Sequence, residues 1–206
     1  MDDGGLSLQA TMLATGRAAR EGARALRLST PQQRTTAILA AAEAIRASAA
    51  TILAANAADF AAARAAGLPA PMLDRMMLDA DRLAAVADAV TQVAAIPDPV
   101  GAEIARWTRP NGLDIARVRT PIGVIAIIYE SRPNVTADAA ALCIRSGNAA
   151  ILRGGSECLR TNLALHAAMV KGLTKAGLPA SCIQQVRTTD RAAVGEILSG
   201  LDRTID

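Results

Sequence analysis

The hydrophobic period of this chain changes at Pro121, and that change limits what the chain can fold into. Before it, apolar residues recur mostly at helical spacing. After it, short apolar runs alternate with helical segments. Ile122–Tyr129 is a near-continuous apolar run, the pattern of a strand covered on both faces. A helix is expected over about Val135–Arg145, a second strand over Ala149–Leu152, and a helix capped by Ser156 that runs to about Ala176. Cys182–Val186 reads as a third strand, Arg191–Leu198 as a third helix, and Arg203–Asp206 as the opening of a fourth strand. Strand–helix alternation builds βαβ units, so the fold class is α/β with a partial doubly wound parallel sheet, Rossmann-like in outline.

The first hundred residues read as helices. Thr30-Pro31-Gln32-Gln33 has the form of a capping box with proline at the first helical position. Ile38, Ala42, Ile45, Ala49 and Ile52 then mark one stripe of a helix predicted to run to Gly67-Leu68-Pro69, a glycine stop followed by proline. A second stripe, Leu83, Val86, Val90 and Val93, is stopped by Pro97-Asp98-Pro99. The string Ala66-Gly67-Leu68-Pro69-Ala70 recurs at Ala176–Ala180, which two helices sharing one stop signal explain more simply than an internal repeat. Between these parts, Ile104–Thr120 alternates around Pro110-Asn111-Gly112 and predicts a β-hairpin with charged outward faces. The chain thus divides into an N-terminal helical layer over 1–103, a hairpin over 104–120 and a sheet domain over 121–206.

Composition excludes several classes. Hydrophobic residues make up 51% and charged residues 20%, which argues against a disordered tail protein. Aromatic residues are only 1%, too few for base stacking on nucleic acid, and alanine fills much of the apolar count, favouring helices with close backbone approach. The net charge of +3 is dispersed without a basic run, so neither nucleic acid nor a membrane surface is an expected partner. The longest strongly apolar run, about eight residues, is too short to cross a bilayer. Met1–Gly5 shows no secretory apolar region, and three cysteines make no even disulfide framework, so a cytoplasmic location is expected. One histidine and scattered cysteines give no metal-ligand spacing.

Two segments carry candidate chemistry. Arg153-Gly154-Gly155-Ser156-Glu157 follows a strand and opens a helix, where bare glycines and a helix N-terminus suit a phosphate. Arg153 would pair with a phosphate and Glu157 with a ribose hydroxyl; alternatively this is an ordinary βα turn whose glycines serve geometry alone. No G-x-G-x-x-G is present. The second segment, Tyr129-Glu130-Ser131-Arg132-Pro133-Asn134, lies past the carboxyl end of the first parallel strand, where open α/β sheets place ligands. Asn134 would stabilise an oxyanion or, alternatively, cap the following helix; Arg132 would bind an anion or sit in solvent. Among the thiols, Cys143 reads as a small buried hydrophobe and Cys182 as structural, and only Cys158, beside a helix start, has a physical argument for reactivity. His166 reads as a surface or packing residue.

Thr120–Asp138 and Ser146–Glu157 together closely resemble the γ-glutamyl phosphate reductase family, within the aldehyde dehydrogenase superfamily. Ala54–Asp59, Asp74-Arg75, Pro97–Gly101 and Trp107–Leu113 agree with it, and the likeness runs from about residue 11 onward. The resemblance implies an aldehyde-dehydrogenase-like fold and an NADP-dependent oxidoreductase of proline biosynthesis. Such an enzyme uses NADPH to reduce L-glutamyl 5-phosphate to L-glutamate 5-semialdehyde and phosphate through a cysteine thioester. It implies Asn134 as the oxyanion residue, although the Tyr129–Pro133 loop departs from the usual superfamily form. It assigns Arg153, Gly154, Gly155, Ser156 and Glu157 to the cofactor's adenosine ribose and 2′-phosphate, Asp190 and Arg191 to its adenine, and Ser131 and Arg132 to substrate. It makes the 104–120 hairpin an arm for homo-oligomerisation. None of the three cysteines matches the family's nucleophile, which lies in a later catalytic domain. The chain is therefore expected to be the N-terminal, cofactor-binding half and to be inactive alone. Two alternatives are a truncated, non-catalytic nucleotide-binding or assembly module, and an aldehyde dehydrogenase of other specificity.

Overall fold

A computed structural model describes residues 7–206, so the reading of Met1–Gly5 lies outside the described residues. Five helices come first: α1 Leu8–Leu28, α2 Pro31–Ala47, α3 Ala49–Ala65, α4 Ala70–Met76 and α5 Ala80–Ala95. The hairpin strands β1 Glu103–Thr108 and β2 Asp114–Val118 follow. Then come β3 Val124–Ile128, α6 Asn134–Arg145, β4 Ala149–Arg153, α7 Leu159–Lys175, β5 Ile183–Gln185 and α8 Ala192–Leu198.

Local chemistry accounts for most of the boundaries. The Thr30 hydroxyl accepts from the Gln33 amide at 3.1 Å, with Pro31 opening α2. The shared stop signal is one geometry used twice. Gly67 and Gly177 take φ of 75° and 74°, and Leu68 and Leu178 each donate five residues back, to the carbonyls of Ala63 (3.1 Å) and Leu173 (2.9 Å). These are Schellman closures that need a glycine. The single helix expected over 31–66 is instead two, bent by 67° at Ser48. Alanine on both sides carries no break signal; tertiary packing decides it, because both helices lie against α7. Gly172 of α7 sits so close to the Ala41 backbone that any side chain there would overlap it. This is the close approach that the alanine-rich composition favours.

The hairpin forms in the expected place. Trp107 pairs with Ile115 and Thr108 with Asp114, and Gly112, at φ 85°, donates to the Arg109 carbonyl at 2.9 Å. Pro110 thereby sits at the second position of a tight turn, which its fixed φ favours. Both faces are exposed, and they carry Ile104, Trp107, Leu113 and Val118 besides the charges.

The parallel sheet has the order β3-β4-β5, with α6 and α7 as crossovers. β3 is an outer strand of the three described, and its burial only partly meets the expectation that 122–129 is covered on both faces. Only Val124 in it is fully buried, and Ile122 is 66% exposed. The covered strand is β4, all of whose residues are buried: it has a neighbour on each side, α1 lies across the sheet, and α6 packs along it. An apolar run alone does not separate edge from centre. Nor is 203–206 a strand. Leu201, Asp202 and Arg203 take φ of 46°, 55° and 60°, a left-handed turn closed by Thr204 donating to the Gly200 carbonyl at 3.0 Å. Only Asp206 returns to the sheet edge, its amide donating to the Val124 carbonyl at 3.1 Å. One contiguous core joins the N-terminal helices to the sheet. Among the described residues, no single helix is long and apolar enough to cross a membrane.

Candidate functional site

Three loops meet at the carboxyl end of the parallel sheet: Tyr129–Pro133 after β3, Gly154–Cys158 after β4, and Val186–Arg191 after β5. Ser131 is buried, and its hydroxyl donates to Glu157 Oε1, tying the first loop to the second. Ser156 is exposed and donates to Glu157 Oε2 at 3.4 Å. The Glu157 carboxylate thus organises the turn from within. Arg132 is exposed.

The protein's own side chains pack closely against both glycines. A Cβ on Gly154 would lie 2.9 Å from the Tyr129 ring and overlap the Asn162 amide; one on Gly155 would overlap the Glu157 carboxylate. Arg153 is also turned inward. It is 7% exposed, with Nη1 on the Gly154 carbonyl and Nη2 3.5 Å from that of Thr189. As placed, it braces the second and third loops and does not present its guanidinium to a phosphate. Its Nε and both polar atoms of the Gln185 side chain are buried with no well-formed hydrogen-bond partner among the described residues. Buried polar groups of this kind call for a partner, such as a water or a ligand atom, beyond the protein atoms around them. Beside them Tyr129 Oη lies 2.6 Å from Thr136 Oγ1, which donates to Asn162 Oδ1 at 3.2 Å. Burial pushes the Tyr129 hydroxyl up to about 12, so it stays protonated.

Ser156 does not cap α7. A short 3₁₀ turn, Ser156–Cys158, intervenes, and the cap comes from another helix. Asp59 of α3, 3% exposed, accepts from both the amide and the hydroxyl of Thr161 at 2.8 Å. Asn56 completes the junction, donating to the Met76 carbonyl at 2.8 Å and accepting from the Leu78 amide at 2.8 Å. These two residues stand in a segment shared with the resembling family, but the sequence assigned them no role; an amide and a carboxylate three residues apart in an alanine-rich helix were the available signal.

Asn134 does not cap α6, which overturns the capping alternative considered for it. It is the first residue of α6, its side chain caps nothing, and Nδ2 donates to Asp138 Oδ2 at 2.9 Å. That leaves its second amide hydrogen free. Both residues face a groove of about 370 Å³ between α6 and α4–α5, with Leu78, Ala85, Val86 and Ala89 as its apolar wall. Asp138 is pushed up from the usual carboxylate range by burial, partly offset by Asn134. The i, i+4 spacing of Asn134 and Asp138 was the missed signal. Asp190 is exposed, and its Oδ1 accepts from the Ala192 amide at 2.9 Å, so it starts α8; Arg191 is exposed beside it.

None of the thiols is activated. All three are buried, and burial pushes Cys143 up to about 11 and Cys158 and Cys182 up to about 12. The reactivity argued for Cys158 from its helix start fails because desolvation, then Glu157 and Asp59, outweigh the dipole. Among the described residues no cluster could hold a metal ion.

Residues 7–204 match the model of the aldehyde dehydrogenase family. The chain belongs to that family. A nicotinamide cofactor is what the family implies. The chain is 71% identical over 195 residues to a γ-glutamyl phosphate reductase of Caulobacter vibrioides, covering 95% of this chain and 47% of that protein. It is 54% identical over 199 residues to one of Brucella anthropi, covering 97% and 47%. A crystal structure of γ-glutamyl phosphate reductase from Thermotoga maritima superposes with a TM-score of 0.88 at 39% identity, covering 91% of this chain and 45% of that one. The corresponding yeast structure gives 0.83 at 30% identity, covering 94% and 49%. The chain spans about half the length of the relatives it matches. The fold is therefore aldehyde-dehydrogenase-like, as the resemblance implied.

Proposed function

We propose that the chain is the cofactor-binding part of an NADP-dependent γ-glutamyl phosphate reductase, which converts L-glutamyl 5-phosphate to L-glutamate 5-semialdehyde and phosphate in proline biosynthesis. The carrying observation is the 71% identity to a reductase of that name, maintained over nearly all of this chain. The unsatisfied Arg153 and Gln185 atoms fit a nucleotide held at the carboxyl end of the sheet, where this architecture places one. When bound, the cofactor supplies hydride. Ser156 and Glu157 form the turn against the adenosine ribose, on the Gly154–Gly155 backbone. Arg153 acts by bracing that turn, leaving exposed Arg191, beyond Thr189, as the cation available for a 2′-phosphate; Asp190 holds the start of α8 beside the adenine. Asn134 offers its free amide hydrogen to the acyl oxygen, and Ser131 and Arg132 border the substrate from the first loop. The nucleophilic thiol is none of Cys143, Cys158 and Cys182, because each is buried and held protonated. The domain division given above is part of this reading, as are a cytoplasmic location and homo-oligomer formation through the 104–120 hairpin.

The test is steady-state oxidation of L-glutamate 5-semialdehyde by NADP with phosphate, using the complete product of the gene. The wild type should turn over, and Asn134→Ala should lose about 100- to 1000-fold in kcat, the usual cost of removing one oxyanion donor. No turnover by the wild type contradicts the reading; an unchanged kcat in Asn134→Ala removes Asn134 from its role.

A further inference from the structure

The groove between α6 and α4–α5 has a charge pattern that the cofactor does not need. Arg82 is satisfied: it pairs with Asp74 at 2.8 Å and donates to the Asp74 and Met77 carbonyls at 2.7 and 3.2 Å. Arg75 also lines the groove, is exposed, and has no acid partner among the described residues. On the opposite wall Asp138 uses one oxygen to accept from Asn134, while Oδ1 accepts nothing among the described residues. The groove therefore offers one free cation, one half-buried carboxylate oxygen and an apolar wall, next to the amide that would hold the reacting carbonyl.

We propose that this groove is the binding site for the α-amino-acid end of the substrate, with Arg75 taking the α-carboxylate and Asp138 Oδ1 the α-ammonium. The proposal rests on the reductase reading for the position of the reacting acyl group at Asn134. A glutamyl acyl chain carries its two α-substituents a few bonds from that carbonyl. Both are charged, with opposite signs, and each needs a partner to leave water. Arg75 and Asp138 supply the two signs, while Asp74 and Arg82 are closed on each other. The volume of about 370 Å³ is at the small end of ligand sites, suited to a metabolite of this size. Asp138 has a second duty as a positioning residue: an ionised carboxylate only accepts, so it holds the nitrogen side of the Asn134 amide toward itself and leaves the second hydrogen aimed away.

The experiment uses the complete gene product and its Arg75→Gln and Asp138→Asn variants. Arg75 is exposed, so its replacement leaves the core alone. Calorimetric titration with L-glutamate, which carries the α-amino-acid end but cannot react, should show binding that Arg75→Gln weakens roughly 10- to 100-fold. Glutarate, lacking the ammonium, should bind more weakly than L-glutamate to the wild type but equally to Asp138→Asn. In turnover, Arg75→Gln should lower the specificity ratio, kcat/KM for L-glutamate 5-semialdehyde over that for butanal, at least tenfold. An L-glutamate affinity and a specificity ratio both within twofold of wild type overturn the proposal. Failure of the reductase reading looks different: L-glutamate binding that depends on Arg75, with no oxidation of the semialdehyde, leaves the head-group site standing and the reaction wrong.

Discussion

Replacing Asp59 by alanine tests whether α7, and with it the Gly154–Cys158 turn, is held in place from α3. Asp59 Oδ2 is the acceptor for two donors on Thr161, the amide and the hydroxyl, both at 2.8 Å and in buried surroundings. Cys158, at the cap position, has no side-chain oxygen to replace it. Arg160, 3.4 Å away and largely exposed, adds little. A hydrogen bond to a charged group is worth about 1.5–3 kcal/mol, and two on one carboxylate are less than additive, so Asp59→Ala should cost about 3 kcal/mol. Asp59→Asn keeps one oxygen in place and should cost about 1 kcal/mol. At the size of this domain, 3 kcal/mol corresponds to a fall of roughly 6–12 °C in Tm. Thermal unfolding followed by circular dichroism reads this directly. A loss below about 1 kcal/mol for alanine, or equal losses for alanine and asparagine, would refute the argument that α7 takes its cap from another helix.

Gly172→Ala should push α7 off Ala41 of α2 and cost about 1–3 kcal/mol in urea unfolding, although alanine is the better helix former. Cys143, Cys158 and Cys182 should resist iodoacetamide at pH 8 in the native state and react once unfolded, as peptide mass mapping would show. His166 donates through Nε2 to the Ile183 carbonyl at 3.0 Å, since a carbonyl only accepts, and burial lowers its affinity for a proton below the ordinary value of 6.5. Its contribution to stability is thus full above pH 6.5 and declines as the pH falls below that, toward the folded value. His166→Gln should flatten that part of the stability profile, and an unchanged slope would exclude the residue as its source.

What could be read from residues alone was what local chemistry dictates. The Thr30 cap, the two glycine stops and the 104–120 hairpin each depend on a few neighbouring side chains, and each stands where the pattern put it. The misreadings share another origin. The break at Ser48, the partial exposure of β3 and the inward turn of Arg153 are decided by distant packing partners: α7, what packs on the faces of the sheet, and the Thr189 carbonyl. The same holds for Asp59, whose role exists only once α3 meets α7, and for the groove at Asn134, two of whose walls come from segments some 50 residues apart in sequence.

The proposed function requires the carboxyl end of the three-stranded sheet to be a nucleotide site. Titration of the complete gene product with NADPH, followed by nucleotide fluorescence, tests it most directly. Binding should be saturable and weakened about tenfold by Glu157→Ala, with the preference over NADH reduced by Arg191→Ala and retained in Arg153→Lys. No saturable signal, or affinities indifferent to Glu157 and Arg191 alike, would contradict it.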